Sequence, residues 1–309
     1  MSFEKELQGV EPVKDTLFTI GVFDGVHLGH QFLLKTLRDR AQARGCLSGV
    51  ITFKSHPQTV IDPHFRLDWL NDLRDRVALI KSLGIDIVLA LRFDENMKQI
   101  SAHDFMVLLK KHLKLKGLVV GPDFALGKYR EGTIEQLRLL GREMDFTVEV
   151  VLPFLMNGEV VRSSSIRQTL AQGEVSKVAT MLGQPFSIKG IAVTGDRRGR
   201  TLGFPTLNLE IQPEMASPSD GVYATITHAG RKTLPSVTNI GERPTFGGGK
   251  RLVETHILDY TGTLKVKRLK VDFMERIRAE KRFKDAEELK AQIGLDITQA
   301  RKILRLAQT

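Results

Sequence analysis

The sequence predicts an α/β half followed by a β half: a parallel sheet covered by helices, then a small closed antiparallel barrel with terminal helices. Two patterns predict this. From Leu17 to Leu182, short apolar runs alternate with helical periodicity, as strand–helix–strand units and a parallel sheet require. From Phe186 to about Asp285, strand-like segments follow one another with only turn residues between them, which suits a sheet closed to remove its free edges. A chain of 309 residues is long enough for two domains that each bury a core.

In order, Leu17–Val22 reads as a buried strand, and Phe32, Leu33 and Leu37 mark a helix after it. Leu47–Phe53, Ile85–Leu91, Leu118–Val120 and Thr147–Leu152 read as further strands. Leu70–Leu83, Ala102–Lys111 and Thr133–Glu143 read as the helices between them. The serines at 163–165 precede an apolar-periodic segment and signal a helix start, and Gly173–Leu182 is a short helix. Gly183-Gln184-Pro185 then ends the helical pattern, dividing the chain into 1–183 and 184–309. Beyond it the expected strands are Ser187–Thr194, Gly221–Thr227, Leu234–Asn239, Val253–Leu258 and Leu264–Phe273. One or two helices are expected over Asp285–Leu306.

Composition narrows the function classes. Hydrophobic residues make up 41% and charged residues 27%, ordinary for a soluble globular protein. There is no apolar run of about 18 residues, so no membrane helix is expected. The first residues are too polar for a signal peptide, and the single Cys46 suits a reducing cytoplasm. The net charge of +10 invites anionic partners, but aromatics are only 6% and no basic stripe is interleaved with stacking residues. Nucleic acid is therefore the lesser reading, and phosphorylated small molecules, an anionic surface or no functional meaning of the charge stay open.

The main chemical signal is G-V-F-D-G-V-H-L-G-H, Gly21 to His30. A strand, a glycine turn and a helix N-terminus leave backbone N–H groups free to face an anion. His27 and His30 could donate to phosphate oxygens there. From the residues alone, phosphate binding and an ordinary surface turn both stay open. Neither H-E-x-x-H nor a cysteine cluster accompanies the histidines, which argues against zinc. The loops T-F-K-S-H-P (Thr52–Pro57) and V-G-P-D-F-A-L-G-K-Y-R-E-G (Val120–Gly132) follow strands and could face a ligand or simply connect elements. Ser163, Ser164 and Arg167 suit either a helix cap or a triphosphate. In the second half, G-D-R-R-G-R-T-L-G-F-P-T-L-N-L-E (Gly195–Glu210) is rich in glycine and arginine. Its Thr206 and Asn208 point to one side if extended, either as a wet strand face or as oxygen ligands for Mg²⁺. Glu254 and His256 likewise share a strand face.

Taken together, these segments resemble the bacterial bifunctional riboflavin kinase/FAD synthetase family. The H-x-G-H of the nucleotidyltransferase superfamily is present. So are segments similar to I-S-S-T-x-I-R, P-T-A-N, T-N-I-G-E-R-P-T-F and E-T-H, in the family's order. The resemblance implies a Rossmann-like nucleotidyltransferase domain and a riboflavin kinase-like barrel. The activities implied are ATP-dependent phosphorylation of riboflavin to FMN and adenylylation of FMN to FAD, with Mg²⁺ as cofactor and ATP as co-substrate.

For the adenylyltransferase half it implies ATP contacts at Gly21, Phe23, Asp24, Gly29, Ser163, Ser164 and Arg167, with catalytic roles for His27 and His30. Flavin contacts are implied at Phe53, His56, Pro57, Asp123 and Phe124. For the kinase half it implies ATP contacts at Gly195, Gly199, Gly203, Pro205, Thr206 and Asn208. Thr206 and Asn208 would hold the metal, Glu254 would be the base and Arg278 a flavin contact. Val22, Leu126, Arg162, Arg197 and Leu207 stand where the family more often has other residues. The implied setting is the cytoplasm, as a monomer or weak oligomer with no membrane or nucleic-acid partner. One alternative from another class is a non-catalytic or single-activity flavin- or RNA-binding regulator built on this architecture. Another H-x-G-H adenylyltransferase is a second rival, which leaves the second half unexplained.

Overall fold

The computed structural model describes residues 3–193, 203–243, 250–260 and 267–306. The sequence features at Gly195, Arg197, Arg198, Gly199, Arg200 and Phe246 lie outside the described residues. The chain divides into two compact units, Met1–Ser163 and Ser164–Thr309.

The first unit is built on five strands: β1 (Thr16–Ile20), β2 (Leu47–Phe53), β3 (Ile87–Leu91), β4 (Leu115–Val120) and β5 (Thr147–Val150). Their order is β3-β2-β1-β4-β5, with every pairing parallel. Alternate side chains go to opposite faces of a strand, and here both faces are buried. Phe18, Ile20, Ile51 and Val120 enter one core with α6 (Ala102–Leu113) and α7 (Ile134–Met144). Leu17, Val50 and Val119 enter a second core with α2 (Leu28–Ala43) and α4 (Leu73–Ser82). This explains why the central strands are unbroken apolar runs and not alternating ones. The helix starts are capped as their sequences dictate. Asp72 caps α4, Ser101 caps α6 and Thr133 caps α7, each accepting from a backbone N–H three residues on. Shorter helices, α1 (Phe3–Leu7), α3 (Gln58–Ile61) and α5 (Glu95–Lys98), and a hairpin of β6 (Leu155–Met156) with β7 (Glu159–Val160) complete the unit. A further helix, α8 (Ser163–Ala171), starts at the division.

The second unit is a closed barrel, β10-β11-β12-β9-β8-β13, antiparallel throughout. Its strands are β8 (Phe186–Val193), β9 (Thr206–Glu210), β10 (Gly221–Ala229), β11 (Lys232–Arg243), β12 (Lys250–Ile257) and β13 (Arg268–Ala279). β9 is a strand beyond the five the sequence predicts, and β13 runs past Phe273 to take in Arg276 and Arg278. A column of hydroxyls fills part of the interior. Thr225 contacts Ser236 and Thr238 at 2.8 Å, Thr227 contacts Ser236 at 2.8 Å, and Thr238 contacts Thr255 at 3.0 Å. All five are fully buried, and each finds a partner, as buried polar groups require. Helix α9 (Val175–Leu182) packs on β8 and β13. A single terminal helix, α10 (Ala286–Leu306), packs on β10, β11 and β13, burying Ala300 and Leu304 against Val222, Ala224 and Val237.

Candidate functional sites

In the parallel sheet, β1 lies between β2 and β4, so the strand order reverses there. Open α/β sheets bind ligands in the crevice outside the strand ends at such a switch point. The chain leaves the ladder after Ile20, with Gly21 N–H still bonded to Ile51 O at 3.0 Å. Phe23, Gly25 and Val26 then adopt left-handed backbone angles, φ 54°, 80° and 43°. Only the glycine does so without steric cost, and strain of this kind clusters at functional sites.

This turn delivers His27 to the N-cap of α2, where its Nδ1 accepts the His30 backbone N–H at 3.3 Å. With Nδ1 accepting, the neutral ring carries its proton on Nε2. The His27 and His30 rings stack with centroids 3.7 Å apart, and Phe23 meets His30 edge-on at 5.1 Å. Burial pushes the His27 imidazole down to about 4. Burial, then the nearby charges of His27 and Arg76, hold His30 well below the ordinary range. Both rings are thus neutral hydrogen-bonding groups at pH 7 and not cations. A Cβ on Gly29 would lie 3.1 Å from the His27 ring and from Val161 O. The glycine is what lets the first turn of α2 sit that close. Asp24 is buried and accepts from Leu70 N–H at 3.0 Å, while the Ser163 hydroxyl donates to Asp24 O at 2.9 Å. Ser164, exposed, and Arg167, half-buried, follow on α8.

Beyond β2, Pro57 stands at the start of α3. The His56 ring lies 5.0 Å from Phe65 and 6.2 Å from Trp69, an aromatic group at the strand's carboxyl end. Phe53 points the other way, into the core beside Phe93. Beyond β4, Asp123 is exposed and Phe124 half-buried against the core, and Arg130 donates to Asp123 O at 3.0 Å. Three residues that no sequence motif marks support this site: Trp69 and Asn71, which precede α4, and Arg76 on its buried face.

In the barrel, strand register brings the candidate residues together. Asn208 faces Glu254 and Thr206 faces His256 across β9 and β12. Opposed residues share a face, so all four lie on the side away from the hydroxyl column that contains Thr255. The row continues: Glu254 faces Asn239, Asn239 faces Val222, and Val222 faces Arg278. His256 Nδ1 donates to Pro205 O at 2.8 Å, and its ring meets Phe204 edge-on at 5.8 Å. Gly203 beside them takes φ 89°. At the far end of the row, Arg278 grips Asp296 of α10 through Nε and Nη2, at 2.8 to 3.1 Å. An open cavity of about 300 Å³ is lined there by Arg278, Gln292, Leu295, Asp296 and Lys302. Among the described residues no cluster of three His, Cys, Asp or Glu could hold a metal. The side-chain oxygens of Thr206 and Asn208 are hard donors, the type that divalent cations such as Mg²⁺ take.

A parallel sheet with a capped glycine turn at its switch point, and a closed barrel that sets Glu254 opposite Asn208, suit a two-domain transferase acting on nucleotide phosphates. A family model for FAD synthetase matches residues 10–165, and one for riboflavin kinase matches 182–304. The bifunctional riboflavin kinase/FMN adenylyltransferase of Escherichia coli K12 is 38% identical, covering 96% of this chain and 95% of its own. That of Bacillus subtilis 168 is 33% identical, covering 92% and 91%. A crystal structure described as a macrolide-efflux protein from Streptococcus pneumoniae superposes with a TM-score of 0.89, at 26% identity over 96% of both chains. The chain belongs to the bifunctional riboflavin kinase/FMN adenylyltransferase family. Among the described residues no helix is long and apolar enough to cross a membrane.

Proposed function

We propose that the chain makes FAD from riboflavin in two ATP-dependent steps, divided between residues 1–183 and 184–309. The observation that carries this best is that each half matches its own enzyme family model within one chain. The barrel row from Asn208 through Glu254 to Arg278 supports the kinase assignment.

In the barrel half, Glu254 takes the proton of the riboflavin 5′-hydroxyl as that oxygen attacks the γ-phosphorus of ATP, and ADP leaves. Thr206 and Asn208 would hold Mg²⁺, which offsets phosphate charge when bound. The flavin ring lies toward Arg278 and the α10 cavity. In the α/β half, a phosphate oxygen of FMN attacks the α-phosphorus of ATP, and pyrophosphate leaves. No protein nucleophile is needed. His27 and His30 offer neutral N–H donors, and Ser163, Ser164 and Arg167 hold the departing phosphates. The aromatic group at His56 receives the flavin. Supply of ATP and the single Cys46 favour a cytoplasmic setting, and the scarcity of aromatics favours small molecules over nucleic acid.

The test is a time course with riboflavin and Mg²⁺–ATP, resolving riboflavin, FMN and FAD. FMN should rise first and FAD follow. Flavin binding without turnover would replace this reading with that of a regulator.

A further inference from the structure

Arg76 is the largest side chain in the fully buried set, 1% exposed on α4. An arginine buried this deeply needs compensating acceptors. The Asp24 and Asp72 carboxylates favour its charge, and its fork donates to two backbone carbonyls at the carboxyl ends of β1 and β2. Nη1 donates to Val22 O at 3.1 Å, and Nη2 donates to Phe53 O at 2.9 Å. Val22 lies in the glycine turn after β1, and Phe53 opens the His56–Pro57 loop after β2. The Trp69 ring covers the guanidinium at 4.5 Å, and Trp69 is itself part of the aromatic group around His56. The same segment holds the turn twice more, through Leu70 N–H to Asp24 Oδ1 and Asn71 Oδ1 from Gly25 N–H at 3.1 Å. One planar fork therefore spans the two loops that carry different substrates.

We propose that Arg76 is a positioning residue for adenylyl transfer, fixing the spacing between the turn that holds ATP and the loop that holds FMN. This rests on the assignment of adenylylation to the α/β half. Arg76 touches neither substrate. Each loop can still bind its own ligand without it, but the attacking oxygen and the α-phosphorus are no longer held in line. A lysine keeps the charge and reaches one carbonyl; it has no fork for two.

The test uses the full chain with Arg76→Lys and Arg76→Met. Three quantities are compared with wild type: kcat and KM for FMN-to-FAD conversion, FMN-binding capacity by flavin fluorescence quenching, and riboflavin phosphorylation on the same preparations. The expected result is a kcat for FAD formation lower by roughly 100-fold in both variants. KM values, FMN-binding capacity and riboflavin phosphorylation should stay near wild type. Wild-type kcat in either variant overturns the proposal. So does a fall in kcat matched by an equal fall in binding capacity, which marks lost fold and not lost alignment. A wild-type protein that makes FMN but no FAD from FMN would overturn the functional reading itself, a result separable from any variant's behaviour.

Discussion

The two halves assemble their sites by opposite means. In the α/β half, ten consecutive residues, Gly21 to His30, supply the turn, the helix cap and both imidazoles, and the Leu70–Arg76 segment braces them. In the barrel, no stretch is a site by itself: Asn208, Glu254 and Asn239 are neighbours because strand register sets them side by side, with Arg278 further along the same row. A local site depends on strain in its own few residues and on the side chains that brace them. A register site depends on every strand that contributes to it. The halves should therefore fail independently.

The sharpest break of the comparison is Glu254→Ala. Removing the general base should lower riboflavin phosphorylation by up to ~10⁴-fold while FMN-to-FAD conversion stays largely intact. Equal loss of both in a folded protein would dissolve the separation. Next comes His27→Ala with His30→Ala. Removing the neutral donors should cost FAD formation on the order of 10²- to 10³-fold and spare FMN formation. Full FAD synthesis by that double variant would remove the imidazoles from the mechanism.

Acid gives a smaller contrast. His27 titrates near 4 in the fold and near 6.5 when unfolded, so the unfolded chain takes the proton first. The stability this gives is complete above about pH 6.5 and is lost as pH falls toward 4, on the order of 3 kcal/mol for the α/β half. In the barrel, burial raises the Asp272 carboxyl, but hydrogen bonds from Ser187, Lys270 and His228 pull it below its usual range. Its contribution persists until pH falls below about 4. Thermal melts followed at pH 7, 6 and 5 should show the α/β half weakening first, and His27→Gln should reduce that trend, leaving the part due to the buried His30. A pH-independent wild-type melt across this window would contradict the neutral-imidazole assignment.

How much of this could be read from residues alone follows from the same contrast. The parallel sheet, the helices and the turn at Gly21–His30 were legible because local periodicity and turn chemistry specify them. The strand expected to run through Val22 stops at Ile20. Val22 is apolar enough to continue it, but its carbonyl instead accepts from the Thr52 hydroxyl and from Arg76. Arg76 itself was invisible because a helical pattern tolerates one basic residue, and nothing local says which carbonyls it reaches. β9 shows the complementary limit. The alternation T-L-N-L-E suits an extended segment, but its pairing between β8 and β12 depends on residues some fifteen to fifty positions away. β13 outlasted its expected end because Arg276 and Arg278 look like loop residues. They find acceptors on Asp220 O and Asp296 instead.

The hydroxyl column inside the barrel matters for what happens on its outside. Thr225, Ser236, Thr238 and Thr255 interlock β10, β11 and β12 like the teeth of a key. If β11 slid by two residues, the faces of the strands would be preserved, yet a buried hydroxyl would meet an apolar side chain, Thr225 facing Leu234 in one direction or Thr255 facing Ile240 in the other. Dry oxygen chemistry in the interior thus serves as a vernier for the row Val222–Asn239–Glu254, and the alignment of the outer surface is calibrated from a place no substrate reaches.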